Sequence, residues 1–346
     1  MLLRARGLAP FGLIAIIAAA CGGPSGPAAS PGPAKATCSQ KSVKIAVPVS
    51  PPNVVHLPPY VAQDLGYFKD ENLTVELPRF EGGVGAFRAV ASGSVELAGT
   101  SSEPAMTAIE QGADVRAVYT YAPNVDVSFV VGPKISTPAD LKGKKIGIQE
   151  PGGFADVMSR IVLKKAGVNP NEVQFVQTTT AARVQRLVAG DVDTGVLHVD
   201  QTFTAQKQAP GLKVLYNMWE ILTDYQYAVY AAGTSLAKDT LECMIRALMR
   251  ANRAMYDPAM REKILDIAVK YTKEDRDVVT KTFDQLRDAK AWPQNEGVPK
   301  ANIEGTVKSL KDNGQITKTL AFDQVTDLSI ARKVVQQLGE VKGFPY

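Results

Sequence analysis

Two imidazoles, His56 and His198, are present in 346 residues, and imidazole is the side chain best placed to move a proton near neutral pH. Two are too few for a histidine metal centre. His198 closes an apolar run at residues 194–198, a strand pattern, so it stands either as a ligand contact or as a hydrogen-bonded core group. Ser235 and Lys238 have the S-x-x-K spacing of an acylating serine, but no Ser-Asp-Asn or Lys-Thr-Gly follows. Ser235 reads instead as the opening of a helix. The chain has no Walker loop, HExxH, CxxC or GxSxG, and Gly83-Val84-Gly85 lacks the third glycine of a dinucleotide fingerprint. These residue types argue against an enzyme and call for no cofactor.

Glycine loops are the remaining chemical feature. Residues 140–167, DLKGKKIGIQEPGGFADVMSRIVLKKAG, read as a strand at 145–149, a turn at Glu150-Pro151-Gly152-Gly153, and a helix closed by Gly167. Phe154, Met158, Ile161 and Val162 recur at helical spacing and define one face. Gly152 and Gly153 place bare backbone N–H groups at the helix N-terminus, where the macrodipole favours a negative ligand atom. The same glycines would equally serve a tight strand-to-helix turn.

The elements that must position these loops alternate. Strands at 43–48, 73–77, 95–99 and 115–121 are separated by helices at 59–68, 86–92 and one ending before Gly112, with a loop at Gly82-Gly83-Val84-Gly85. The order restarts with 127–131 and 145–149, followed by a strand at 173–176, a helix at 181–189 and a strand at 194–198. Strand and helix in alternation predict open, mostly parallel sheets with helices on their faces. RAVASGSVELAG (88–99) and QRLVAGDVDTGV (185–196) align Gly93 with Gly190, Val95 with Val192 and Glu96 with Asp193, which predicts two lobes of similar build. A strand at 225–232 follows, and then only helices: 238–255, one opened by a capping box at 272–275 and running through Leu286, 300–313 and 328–338. This tail is expected to return to the first lobe, giving lobe 1 as 42–127 plus 229–346 and lobe 2 as 128–228. Hinges are expected near 124–130 and 224–230, and ligands bind beyond the carboxyl ends of strands in such sheets.

With 45% hydrophobic and 21% charged residues, the chain is of ordinary globular composition and long enough for two domains. Residues 1–20 carry Arg4 and Arg6, no acid, and an apolar run too short to span a membrane, and they read as a signal peptide. Small residues directly before Cys21 resemble a bacterial lipobox, so Cys21 is the expected lipidation site. Residues 21–41, rich in Gly, Pro, Ala and Ser, read as a disordered tether. Losing the leader takes the formal charge from +4 to about +2, which suggests no nucleic-acid partner. Cys38 and Cys243 remain, as a disulfide or as two buried thiols.

PPYVAQDLGYFKDENLTVEL (58–77), GAFRAVASGSVELAG (85–99), TPADLKGKKIGI (137–148) and FDQVTDLSIARKVVQQLG (322–339) together resemble the periplasmic solute-binding proteins of ABC importers for nitrate, sulfonates, taurine and thiamine-pyrimidine precursors. The resemblance implies a two-lobed, type II periplasmic binding protein fold with two crossover strands. Such a protein is a monomer that closes on a small molecule and delivers it to a permease. By position it implies ligand loops at Asn53 and His56, at Gly83, at Ser101-Ser102, at Gly152-Gly153-Phe154, and at His198 with Asp200. Tyr121 and Tyr225, near the crossovers, either stack on a flat ligand or pack the hinge. No Arg falls in these loops, so aromatics plus Asp200 favour an uncharged or heterocyclic ligand such as a pyrimidine precursor. The alternatives are a sulfonate, taurine or nitrate-type anion, and, in another class, the fungal pyrimidine-precursor synthases, whose CCCFC motif this chain lacks.

Overall fold

The computed structural model describes residues 38–344; residues 1–20, Cys21 and most of the expected tether lie outside them. Its strands are β1 (Ser42–Ala46), β2 (Thr74–Glu76), β3 (Leu97–Ser101), β4 (Val115–Tyr119), β5 (Val127–Val131), β6 (Lys145–Ile148), β7 (Gln174–Gln177), β8 (Thr194–His198), β9 (Lys213–Asn217) and β10 (Ala228–Gly233). They form two five-stranded sheets, ordered β2-β1-β3-β10-β4 and β7-β6-β8-β5-β9. In each sheet four strands share one direction and one opposes its neighbours: β10 in the first, β5 in the second. The opposed strand is the one the chain enters directly after leaving the other sheet. β3, β5 and β8 are buried along their whole length, as expected of strands covered on both faces. This is the two-lobed architecture expected of the sequence, with mixed sheets.

The paired segments found in the sequence occupy equivalent places. Gly93 and Gly190 both follow a helix with positive φ, +72° and +79°, a conformation glycine adopts without penalty. Each pattern then places an acid at the start of a central strand. Glu96 accepts the Lys44 amide at 2.7 Å, and Asp193 accepts the Lys145 amide at 2.8 Å. One acid thus pins β1 and the other pins β6, and the same spacing carries β3 and β8 to their ends at Ser101 and His198.

Several boundaries differ from expectation. The glycine loop at 82–85 is mostly helix, since the helix runs Gly83–Ala91. The expected helix 59–68 is split into Pro58–Asp64 and Tyr67–Asp70 by Gly66, whose φ is +79°. Thr272 ends the helix Arg261–Thr272, and Lys273, at φ +64°, separates it from the helix Arg276–Asp288, so no capping box forms there. Helix Val199–Gln208 is polar in sequence, VDQTFTAQKQ, and edge strand β9 is short with its first two residues exposed, so neither shows a clear apolar period. The crossovers are not strands: residues 120–126 and 222–227 link the sheets and lie side by side, with the Tyr227 amide donating to Pro123 O at 2.8 Å and the Ala228 amide to Ala122 O at 3.0 Å.

Cys38 and Cys243 form a disulfide, with Cα atoms 6.3 Å apart. Ser39 donates to Asp239 through both its amide and hydroxyl, and Gln40 donates to Glu96. Residues 38–41, assigned to the tether by composition, therefore belong to the folded body. Helix Lys238–Ala254, which receives the disulfide, packs against Pro58–Asp64, Tyr67–Asp70 and Ser329–Leu338. The helical tail also reaches the second sheet's side, where Thr204 donates to Glu274 at 2.6 Å and Lys207 pairs with Asp275 at 2.8 Å.

Candidate functional site

The carboxyl ends of the parallel strands of both sheets face a common cleft. From the first sheet's side come Pro48 and Val49 after β1, His56, Gly82 and Gly83, and Ser101 at the end of β3. From the second come Gln149 and Glu150 after β6, Gly153 and Phe154 at the next helix, and His198 at the end of β8. Tyr121 and Tyr227, one from each crossover, form the back wall. The cavity they enclose is about 20 Å³, room for about one water, so the lobes are closed on each other.

Hydrogen bonds across the cleft hold that closure. Asp200 accepts the Asn53 side-chain N–H at 3.1 Å and the Val54 amide at 2.9 Å. Glu150 Oε1 accepts the Val84 amide at 2.9 Å, in the first turn of helix Gly83–Ala91. A carboxylate at a helix N-terminus meets unpaired N–H groups and the positive end of the dipole. Burial nevertheless raises the Glu150 pKa, with the Val84 amide and Arg88 opposing.

The rings are tightly grouped. The His56 centroid lies 5.3 Å from those of Tyr121 and His198, and Phe154 lies 4.6 Å from Tyr227. His56 Nε2 is 3.1 Å from the Tyr227 hydroxyl. Burial, with His198 and Arg183, holds the His56 pKa well below its usual value, so the ring is neutral at pH 7. With the Tyr227 hydroxyl donating to Nε2, Nδ1 carries the proton and is a buried donor with no partner among the described residues. Across the cleft, His198 Nδ1 sits 2.8 Å from Asp126 Oδ1.

Of the residues expected from the sequence, His56, Gly83, Ser101, Tyr121, Gly153, Phe154 and His198 line the cavity. Ser101 Oγ is buried beside the Glu103 carboxylate, whose charged form it supports. Asn53 and Asp200 lie beside the cavity, bonded to each other. Ser102 is turned away, its hydroxyl donating to Gln226 O. Tyr225 donates its hydroxyl to Glu103. Gly152, at φ +72°, donates its amide to Asp156 Oδ2 at 2.8 Å, and the Gly153 amide bonds Glu150 O. Those two N–H groups, read from sequence as bare, are thus satisfied by the protein's own turn and helix.

Tyr227, Gln149 and Glu150 were not expected, nor was Arg183. Arg183 is 2% exposed, on the buried face of helix Thr180–Ala189, and its Nη2 donates to Gln201 Oε1 at 2.8 Å. Burial lowers its pKa to about 10, opposed by Tyr227 and Asp200, so it remains a cation at neutral pH beside Gln201. Its signal in the sequence was an Arg in register with Val184 and Leu187 on an otherwise apolar face.

Glu103 is the first-lobe counterpart of Asp200, two residues beyond Ser101 as Asp200 is beyond His198. It is fully buried, and burial pushes its pKa up to about 7 from the usual 4.5, opposed by the Tyr225 and Ser101 hydroxyls. A raised folded-state pKa means that the folded form holds the proton more tightly, so the contribution to stability is whole below pH 4.5 and is lost as pH climbs to about 7. At 1.36 kcal/mol per pKa unit the loss is about 3 kcal/mol. Glu103→Gln, neutral throughout, should raise Tm by several degrees at pH 8 and leave it nearly unchanged at pH 4. An equal gain at both pH values, in calorimetric scans, would contradict this assignment.

The family model described as NMT1/THI5 like matches residues 53–262. YtlA of Bacillus subtilis is 22% identical over 315 residues, covering 88% of this chain and 94% of that protein. The taurine-binding periplasmic protein of Escherichia coli is 30% identical over 171 residues, 48% of this chain and 49% of that protein. Among solved structures, the periplasmic aliphatic sulphonate binding protein SsuA of Escherichia coli superposes with a TM-score of 0.65 at 18% identity, over 84% of this chain and 92% of that one. The periplasmic nitrate-binding protein NrtA of Synechocystis PCC 6803 gives 0.67 at 13%, over 87% and 89%. Two similar lobes closing over a cleft at their strand ends, together with a family match over residues 53–262, mean that the chain belongs to the NMT1/THI5 like family of periplasmic solute-binding proteins of ABC importers.

Proposed function

We propose that this protein captures a small organic molecule carrying one acidic oxygen group in the cleft between its lobes and delivers it to an ABC import permease. The observation that carries the ligand class is the Glu150 carboxylate seated on the Val84 amide. A carboxylate already occupies that position, beside Gly83 and the Ser101 hydroxyl, so the position suits an acidic group. The buried cation Arg183 behind the opposite wall supports the same reading and weakens the case for an uncharged ligand that the loops alone made. Tyr121, Phe154, Tyr227 and the two imidazoles would hold the ligand body. They also favour a second reading, a flat heterocycle such as a pyrimidine precursor, held by stacking. We take the cleft as a site of capture, not catalysis, in a monomer.

Residues 42–127 with 229–346 would move as one body and 128–228 as the other, turning about the paired crossovers as the ligand shifts the balance between open and closed forms. A ligand at 100 times its Kd adds about 2.7 kcal/mol of stability. A thermal-shift screen over alkanesulfonates and taurine, aromatic carboxylates, nitrate, and pyrimidines should therefore show a rise of several degrees within the first two classes. A rise with pyrimidines alone would favour the second reading, and no rise in any class would refute capture in this cleft.

The leader at 1–20, the lipidation of Cys21 and the tether place the protein, in this reading, on the outer face of the cell membrane. Among the described residues no helix is long and apolar enough to cross a membrane. Cys21→Ser should release the protein from the membrane fraction, and unchanged fractionation would count against the anchor.

A further inference from the structure

Beside the crossovers lies a cavity of about 480 Å³ that shares no wall residue with the cleft cavity. Its size is within the range of small-molecule sites, about 300–1,000 Å³. Its walls come from every part of the molecule that meets at the hinge. Asp126 belongs to the outgoing crossover and Leu222 to the returning one, Val199 opens helix Val199–Gln208, Trp219 lies on the short helix Met218–Ile221, and Leu286 comes from helix Arg276–Asp288.

The lining is apolar apart from a few polar groups, and the acid among them is Asp126, which is 6% exposed. Its Oδ1 holds His198 Nδ1 at 2.8 Å. A carboxylate has acceptor sites beyond the one taken by His198, so in an apolar wall it favours an occupant that brings N–H groups or positive charge to it. Trp219 brings an indole to this wall, and indole both packs against aromatic or branched bodies and attracts cations.

We propose that this hinge cavity is a second ligand site, for an amphipathic organic cation whose apolar body rests against Trp219, Leu222 and Leu286 and whose ammonium or amidinium N–H meets the Asp126 carboxylate. The proposal does not rest on which ligand the cleft takes, although Asp126 also holds His198 of the cleft wall. Titration calorimetry with three probes of one shape tests it: 2-phenylethylamine, 2-phenylethanol and 3-phenylpropionate. The amine should bind at least tenfold more tightly than the acid, with the alcohol between them. Ala289 and Gln285 are exposed residues on the cavity rim, so Ala289→Phe and Gln285→Trp can fill it without disturbing the core. Each should weaken the amine at least tenfold, with circular dichroism unchanged. No heat with the amine at millimolar concentration, acid binding as tight as the amine, or amine binding unaltered in both filled variants would each overturn the proposal.

Discussion

Glu150→Gln should raise the affinity of the cleft for an organic anion at least tenfold. In the closed form the Glu150 carboxylate takes the Val84 amide at 2.9 Å, and a Cβ on Gly82 would overlap its Oε1, so the glycine is what lets the carboxylate approach. Any acidic group reaching for the same helix end must displace this charge or sit beside it. Two like charges about 4 Å apart repel by about 4 kcal/mol at an effective dielectric of 20. Glu150 is only half buried, so solvent screens part of that. Even a third of it, about 1.4 kcal/mol, is tenfold in Kd. Glutamine keeps the length of the side chain and an acceptor for the Val84 amide while removing the charge. Calorimetric titration of both proteins with the strongest ligand from the thermal-shift screen is the measurement. A tenfold loss would mean that Glu150 pairs with an ammonium on the ligand, and no change would mean that it does not face the ligand at all.

How far the sequence reached can be judged from pairs of residues. The alignment of Gly93 with Gly190 and Glu96 with Asp193 was legible because both positions are dictated locally: a left-handed turn wants glycine, and an acid directly before a strand can cap the neighbouring strand's amide. The same register makes Ser101 the counterpart of His198 and Glu103 that of Asp200, and the first pair faces across the cleft. By contrast, Gly152-Gly153 was read as an open anion cradle although Asp156, four residues on, already fills it. Backbone N–H groups at a helix start are visible in sequence; the side chain that satisfies them depends on a rotamer. Tyr227 was missed for a related reason. In YQYAVYAA it shares a period-two face with Tyr225, but the segment is not strand until Ala228, so one tyrosine meets Glu103 and the other meets His56. Arg183 and Glu150 act through distance in three dimensions, across elements that no local pattern links.

Replacing both Cys38 and Cys243 by alanine should cost about 2–5 kcal/mol, the largest loss expected from any exchange of two small side chains here. The bond joins residues 205 apart, so it removes a great deal of freedom from the unfolded chain. Both cysteines are buried, at 7% and 0% exposure, and alanine keeps the site apolar, so the loss reports mainly the cross-link. The bond also stands beside an ion-pair cluster. Arg246, less than one turn beyond Cys243, holds Glu71 through two bonds of 3.0 and 2.8 Å and Glu242 through one of 3.0 Å. Arg246→Ala would leave the buried Glu71 carboxylate without its cation, at about 3–5 kcal/mol, while Glu242 keeps Lys333 at 2.7 Å. Because Cys243 Sγ is 4.0 Å from Arg246 Nη2, the two losses should not add. Urea midpoints of the single, double and combined variants would reveal that coupling, and a loss under 1 kcal/mol for the cysteine pair would contradict the cross-link's role. Its place in the fold gives a reason for the bond. If the chain is held to the membrane through Cys21, any pull on the tether enters the folded body at Cys38, four residues before β1. Without the disulfide that pull would peel β1 from β2 and β3 one hydrogen bond at a time. With it, the load passes to the seventeen-residue helix Lys238–Ala254, buried among three others, and the sheet that carries half of the cleft is spared.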